Sequence, residues 1–245
     1  MSDEWVELVD DAWQLELKEL ENSGRTHQAF TEEWHTGNKR INHGGFASVR
    51  WVLSRRDHDC GTARAAKVMS SRDSSDYYAR WAAEVYTHKK VSGHQDIVEL
   101  LEIYFTSHAP QDKARVVLIQ RLCERDDLFK HLMYYYDLSF EDMCAWMQDL
   151  LSALAHTHLQ EIIHRDIKPS NCGFLFAAGQ RKLLQLMDFG SSAILRRKDT
   201  STGTEEVTDP GTGRVLRTRE LRQDVTTYRY AAPEVMNREQ YNLGG

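Results

Sequence analysis

The sequence predicts an α+β fold, and three observations carry that prediction. Short stretches with strand character, the alternating run 49–53, residues 63–69 and the buried-strand run 116–120, crowd into the first half of the chain. A long stretch from Ser139 places Met143, Met147, Leu150, Leu151, Leu154 and His158 at helical spacing. Two short polar loops follow it, His164-Arg165-Asp166-Ile167-Lys168-Pro169-Ser170-Asn171 and Asp188-Phe189-Gly190, with an apolar run over residues 183–187 leading into the second. At 245 residues the chain is long enough for one large domain or two small lobes.

Taken in order, residues 1–35 are rich in Glu and Trp. Trp5, Leu8, Val9, Ala12, Leu15 and Leu20 approximate helical spacing, which predicts a helical extension docked through Trp5 and Trp13. Ile41-Asn42-His43-Gly44-Gly45-Phe46-Ala47-Ser48-Val49 brackets a Gly pair with apolar residues and reads as strand, tight turn, strand. After a polar turn at 55–61 comes the strand candidate Ala63-Arg64-Ala65-Ala66-Lys67-Val68-Met69. Residues 75–90 read as a helix with Tyr78, Trp81, Val85 and Lys89 along one face, and Glu84 is its only carboxylate past the first turn. Residues 116–120 form a buried-strand run that continues through Arg121-Leu122-Cys123. Ser139 and Asp142 have capping-box spacing, and the stripe from Met143 to His158 is expected to be core. Residues 191–224 are polar and rich in Thr, Arg and Gly, the composition of a regulatory loop without structure of its own.

The two polar loops hold two carboxylates, a carboxamide and an ammonium. Phosphoryl transfer from a nucleotide needs such a set: a carboxylate orients the hydroxyl nucleophile, a cation neutralises charge on the moving group, and an Asp and an Asn hold magnesium. Together the loops resemble the catalytic and magnesium loops of the eukaryotic protein kinases of serine/threonine type. The resemblance runs over residues 41–241. It implies a bilobal fold: an antiparallel N-lobe sheet with one helix over 36–122, after the extension at 1–35, and a mainly helical C-lobe over 123–245. That C-lobe is expected to be incomplete, because the family carries further helices past this point. It also implies ATP and Mg2+ as cofactors, transfer of the γ-phosphoryl group to Ser or Thr of protein substrates, and an upstream activating kinase.

Residue by residue, the resemblance makes Asp166 the orienting carboxylate, Lys168 the cation near the γ-phosphate and Thr227 the hydroxyl that links them. Asn171 and Asp188 become the metal ligands. Lys67 grips the α- and β-phosphates, and Glu84 orients it. Ile41, Gly44 and Val49 belong to the loop over the phosphates, although Asn42 and Ala47 replace two of its usual glycines. Ala65 roofs the adenine, Gln120 guards the back of the pocket, Leu122 and Cys123 belong to the hinge, and Asp127 faces the ribose. Gly173 stands where the family usually has an apolar residue under the adenine. These departures leave a second reading, a pseudokinase acting as a nucleotide-binding or scaffolding module. Arg165 is the kind of residue that pairs with a phosphorylated activation loop, for which Thr218 and Thr226 are candidates. The segment Ala231-Ala232-Pro233-Glu234 is similar to the family's substrate-docking anchor and speaks against a small-molecule phosphotransferase.

Composition narrows the partners. A net charge of −6 and a pI near 6.0 argue against nucleic acid and anionic membranes. No apolar run approaches a membrane span, and the acidic N-terminus lacks the regions of a signal peptide. Four cysteines without C-x-x-C pairing suit reduced thiols in the cytoplasm or nucleus.

Overall fold

The apolar runs of the first half become one antiparallel sheet in the computed structural model, which describes residues 5–8, 26–43, 47–70, 76–106, 115–124, 126–135, 138–175, 181–197, 207–208, 215–216, 218–219 and 227–236. In chain order these residues form β1 (Trp5–Leu8), α1 (His27–Glu33), β2 (Trp34–His43), β3 (Ala47–Ser54), β4 (Ala63–Ser70), α2 (Asp76–Val91), β5 (Leu100–Thr106) and β6 (Arg115–Arg121). The sheet order is β2-β3-β4-β6-β5. Residues 116–120 of β6 are all buried because both faces of the sheet are covered. Val116 and Leu118 face a core with Met69, Trp81, Val85 and Phe105, under α2. Val117 and Ile119 face a second core with Phe30, Trp34, Val52 and Tyr104, under α1. An unbroken apolar run is what a strand covered on both sides requires.

The N-terminal region departs from its expected form. Helix occurs at His27–Glu33, capped by the Thr26 hydroxyl, and it docks through Phe30 and Trp34. Trp5–Leu8 is a strand, not a helix turn. It pairs antiparallel with residues near position 196, so a contact about 190 residues away overrides the local spacing. Trp13 lies outside the described residues.

The second half comprises α3 (Leu128–Tyr134), α4 (Phe140–Leu159), β7 (Ile162–Ile163), β8 (Cys172–Leu175), β9 (Leu183–Leu186), β10 (Ala193–Arg197), β11 (Val207–Thr208), β12 (Val215–Leu216), β13 (Thr218–Arg219) and α5 (Pro233–Met236). The Ser139 hydroxyl caps α4 through Asp142, accepting its N–H at 3.0 Å and donating to its carboxylate at 2.8 Å. The buried face of α4 matches the expected stripe only in part: Leu150 and Leu154 pack against the core. Trp146, Asp149, Ala153 and Thr157 point inward, whereas Met143, Met147 and Leu151 are 43, 56 and 57% exposed. Two of the inward residues are polar. Asp149 takes both guanidinium nitrogens of Arg181 and the N–H of Leu184, and the Thr157 hydroxyl donates to the Leu154 carbonyl. Both are satisfied, so both can be buried. The polar stretch at 191–224 also carries strands, β10 to β13, where no structure was expected; its other residues are described only at 191–192. Among the described residues no helix is long and apolar enough to cross a membrane.

Residues 94–98 tie the lobes together. Val98 donates to the Leu186 carbonyl at 2.9 Å, Leu186 donates to that of Asp96 at 2.8 Å, and the Gln185 amide reaches the Gln95 carbonyl at 2.7 Å. At the outer face of the sheet, the buried Tyr104 hydroxyl accepts from the Trp34 indole at 2.9 Å and lies 2.5 Å from Glu102 and 3.0 Å from Glu33. Tyr104→Phe leaves the indole N–H short of this acceptor. The expected cost is about 1–3 kcal/mol, read as a lower urea midpoint at unchanged m-value.

Candidate functional site

Strand pairing brings the first group of side chains together. On β4, Lys67 lies between Val49 of β3 and Leu118 of β6, which directs its side chain under the sheet toward α2. There its ammonium donates to Glu84, and at 2.7 Å to Asp188 Oδ1. Lys67 and Glu84 are 8 and 6% exposed. Burial works against the Lys67 charge, but Glu84 and Asp188 outweigh it and hold its pKa above the ordinary lysine value. For Glu84 burial prevails over the pull of Lys67 and pushes the carboxyl up. The nearby ammonium instead holds Asp188, whose side chain is half-exposed, down to about 2.

The loop after β7 gathers the second group around one carboxylate. Asp166 Oδ1 accepts from the Thr227 N–H at 3.1 Å and the Thr227 hydroxyl at 2.6 Å. Oδ2 accepts from Lys168 Nζ at 2.6 Å and Asn171 Nδ2 at 3.0 Å. Lys168 also donates to the Thr227 hydroxyl at 2.8 Å, closing the ring. Burial opposes the Asp166 charge, yet these bonds outweigh it and hold its pKa below the ordinary carboxylate value. The two loops are joined directly, because Met187 donates its N–H to the Asn171 carbonyl at 3.0 Å.

Between them lies a set of ring contacts that the sequence did not announce. Phe189, 1% exposed, contacts His88 at 5.2 Å in a tilted arrangement and His164 at 5.0 Å edge-on. The His88 Nε2–H donates to the Val98 carbonyl at 2.8 Å, and its Nδ1 lies 3.5 Å from the Gln120 amide. The His164 Nε2–H donates to the Met187 carbonyl at 3.1 Å while Nδ1 accepts from the Asp166 N–H at 3.3 Å. Both imidazoles are therefore held neutral. Burial pushes His88 down to about 4 and lowers His164 in the same direction. His88 stands one turn after Glu84, so its inward direction follows from the register of Glu84.

A cleft runs past both groups. Ile41, Val49, Ala65 and Lys67 line it from the sheet, and Gln120, Leu122 and Cys123 from the connection after β6. Asp127, Asn171 and Asp188 line it from the second half. Glu84 touches Lys67 rather than lining the cleft, and Asp166, Lys168 and Thr227 cluster beside Asn171. Gly44 lies outside the described residues. The floor holds an exchange of space between Gly173 and Cys123. A Cβ on Gly173 would meet Cys123 Sγ at 2.8 Å and Cys123 Cβ at 2.9 Å, so the thiol fills the volume a side chain at 173 would take. Burial pushes that thiol up to about 12, which makes it a packing group rather than a nucleophile.

A family model described as the protein kinase domain matches residues 35–244. The chain is 25% identical over 201 residues to a probable myosin light chain kinase of Dictyostelium discoideum, covering 79% of this chain and 48% of that protein. It is 28% identical over 204 residues to a mitochondrial serine/threonine-protein kinase of Schizosaccharomyces pombe, covering 74% and 40%. To a calcium and calcium/calmodulin-dependent serine/threonine-protein kinase of Lilium longiflorum it is 33% identical over 120 residues, covering 49% and 20%. The chain thus spans less than half the length of these relatives.

Two expectations follow from the geometry. His88 is neutral in the fold down to pH 4, whereas the unfolded residue takes a proton near pH 6.5. Above pH 6.5 both states are neutral and the residue has no effect. Between 6.5 and 4 the unfolded chain binds a proton that the fold refuses, so stability falls, by at most about 3 kcal/mol. His88→Leu should start lower, having lost the Val98 bond, and should fall less steeply over that range in urea titrations. The second concerns the floor of the cleft. Gly173→Ala should cost about 1–3 kcal/mol by overpacking, and Cys123→Gly in the same chain should recover most of it. Additive losses in the double-mutant cycle would contradict the shared volume.

Proposed function

The chain belongs to the protein kinase family, and on that premise we propose that it transfers the γ-phosphoryl group of ATP to Ser or Thr hydroxyls of protein substrates. The observation that carries this reading is the ring of bonds among Asp166, Lys168, Thr227 and Asn171, beside a cleft lined by Lys67 and Asp188. In the reaction, the substrate hydroxyl oxygen bonds to the γ-phosphorus as the bond from that phosphorus to the β-phosphate oxygen breaks, and ADP leaves. Asp166 orients the hydroxyl and takes its proton, a role suited to a carboxylate kept ionised by its partners. Lys168 neutralises charge on the phosphoryl oxygens. Thr227 holds both residues in register through its hydroxyl, leaving the acceptor side to a short Ser or Thr.

Lys67, positioned by Glu84, contacts the α- and β-phosphates, while the cleft residues Ile41, Val49, Ala65, Gln120, Leu122, Cys123 and Asp127 receive the nucleoside, and Gly44 the phosphates. The donor set suits Mg2+. Asp188 is ionised and half-exposed, and the Asn171 amide nitrogen is turned to Asp166, which leaves its oxygen as the free end for a hard cation. Asn171 and Asp188 are the residues that would hold the ion. An ion held there would supply neutralisation of phosphate charge. The pseudokinase reading rests on Asn42 and Ala47 in the phosphate loop and Gly173 in the floor. Four free thiols and the net charge of −6 support a cytoplasmic or nuclear protein acting on proteins rather than nucleic acid. An upstream kinase acting on Thr218 or Thr226 belongs to the same proposal.

Asp166→Asn should lower kcat for a Ser/Thr peptide roughly 100-fold or more while ATP affinity stays within about twofold, since Asp166 does not hold the nucleotide. Unchanged turnover, measured as ADP release, would overturn the proposed role. An intact chain that binds ATP without turnover would establish the pseudokinase instead.

A further inference from the structure

The phosphotransfer reading leaves β1 without a task, and its position is specific. β1 sits inside a four-stranded sheet of order β13-β1-β10-β7. Trp5, Val6 and Glu7 pair with Arg197, Arg196 and Leu195 of β10, and Glu7 and Leu8 pair with Arg219 and Thr218 of β13. β10 continues the sheet to β7, through Ala193 with Ile163 and Ile194 with Ile162. Residues from the start of the chain therefore bridge the two ends of the segment that runs from Asp188 to Thr227.

Each end of that segment touches the Asp166 loop. On the β10 side, the Arg165 guanidinium donates to the carbonyls of Ser191 at 2.6 Å and Ser192 at 3.2 Å, immediately before β10 begins. At the other end, Thr227 follows β13 by eight residues and carries the bonds to Asp166. Among the described residues β13 pairs with β1 alone, so its place in the sheet depends on β1. A contact between residues 6 and 196 closes a very long loop, and the pairing has to overcome that entropy. A central strand does so through main-chain bonds on both edges, which is the way an extended peptide adds to a sheet.

We propose that β10 and β13 form a slot for an extended peptide backbone, and that residues 5–8 of the same chain are its occupant. The occupied slot straps both ends of the Asp188–Thr227 segment together and holds Thr227 on Asp166 without a phosphate on the segment. Recognition is through the backbone, so it tolerates side-chain changes in β1 but not loss of a main-chain donor. The effect on catalysis rests on the phosphotransfer reading; the strap itself does not.

The test compares the full 245-residue chain with Glu7→Pro, Glu7→Ala and a deletion of residues 1–8. In a strand flanked on both sides every N–H serves one neighbour, so Pro at position 7 removes a bond to β10 or β13 whichever way it points. Hydrogen exchange at residues 193–197 and 218–219 should quicken about 10-fold or more in Glu7→Pro and in the deletion. Exchange in β4 and β6 should not change, which shows that the rest of the fold stands. Glu7→Ala should behave as the parent, and a synthetic peptide of residues 1–10 should restore protection to the deleted chain. Peptide phosphorylation should fall about 10-fold in the two strap-less forms. Unchanged exchange at both 193–197 and 218–219 in Glu7→Pro, or equal effects of Ala and Pro, would overturn the slot. A rise in phosphorylation on deletion would overturn the supporting role. If even the intact chain transfers no phosphate, exchange still decides the strap, and only the phosphotransfer reading fails.

Discussion

The buried ammonium of Lys67 is the constraint on which the rest of the structure depends. It comes from the middle of the sheet, and its two carboxylate partners come from a helix, through Glu84, and from the loop after β9, through Asp188. A charge taken out of water at such a place is tolerated only with its partners in position, and removing one leaves a costly uncompensated group. Three elements distant in sequence are thereby held to one geometry. With Glu84 fixed, the register of α2 is fixed, and His88 is delivered one turn further on. Asp188 takes a left-handed conformation at φ 68°, and Phe189 next to it is buried.

Asp166 solves a different problem with similar means. Lys67 is a single cation shared by two anions, whereas Asp166 is a single anion shared by several donors. Four bonds to its two oxygens keep it ionised and fix the plane of the carboxylate. One partner, Thr227, lies 61 residues away along the chain. The orientation of the carboxylate therefore depends on a distant part of the chain being brought back. This is why the pairing of β10 and β13 through β1 bears on chemistry and not only on shape.

What was legible in the sequence is what is local. The His164–Asn171 and Asp188–Gly190 loops, the strand runs at 49–53, 63–69 and 116–120 and the capping box at Ser139 carry their signal in contiguous residues, and each forms where its pattern places it. Other features depend on partners far along the chain. β1 has helical spacing, but its strand partner is about 190 positions on, so its conformation could not be read locally. The inward face of α4 includes Asp149 and Thr157, which a count of apolar residues sends to the surface; only Arg181 and Leu184 explain the burial of Asp149. Gly173 looked like a missing floor residue until Cys123, 50 positions earlier, was found in the space.

Beside the Lys67 ion pairs, two neutral histidines make a second link across the same junction. The carbonyls of Val98 and Met187 sit at the edges of β5 and β9, where each is met by an imidazole N–H. Met187 is held from both sides, since its own N–H is bonded to Asn171. Each imidazole thus satisfies a main-chain acceptor and touches the Phe189 ring, tilted for His88 and edge-on for His164, so ring contacts join α2 and the Asp166 loop through Phe189. An aliphatic residue at 88 or 164 could fill the same volume but would leave the carbonyl unpaired. A protonated imidazole at His164 would satisfy the carbonyl but could no longer accept the Asp166 N–H. The neutral ring meets both demands, and burial, by lowering the pKa, keeps it in that form.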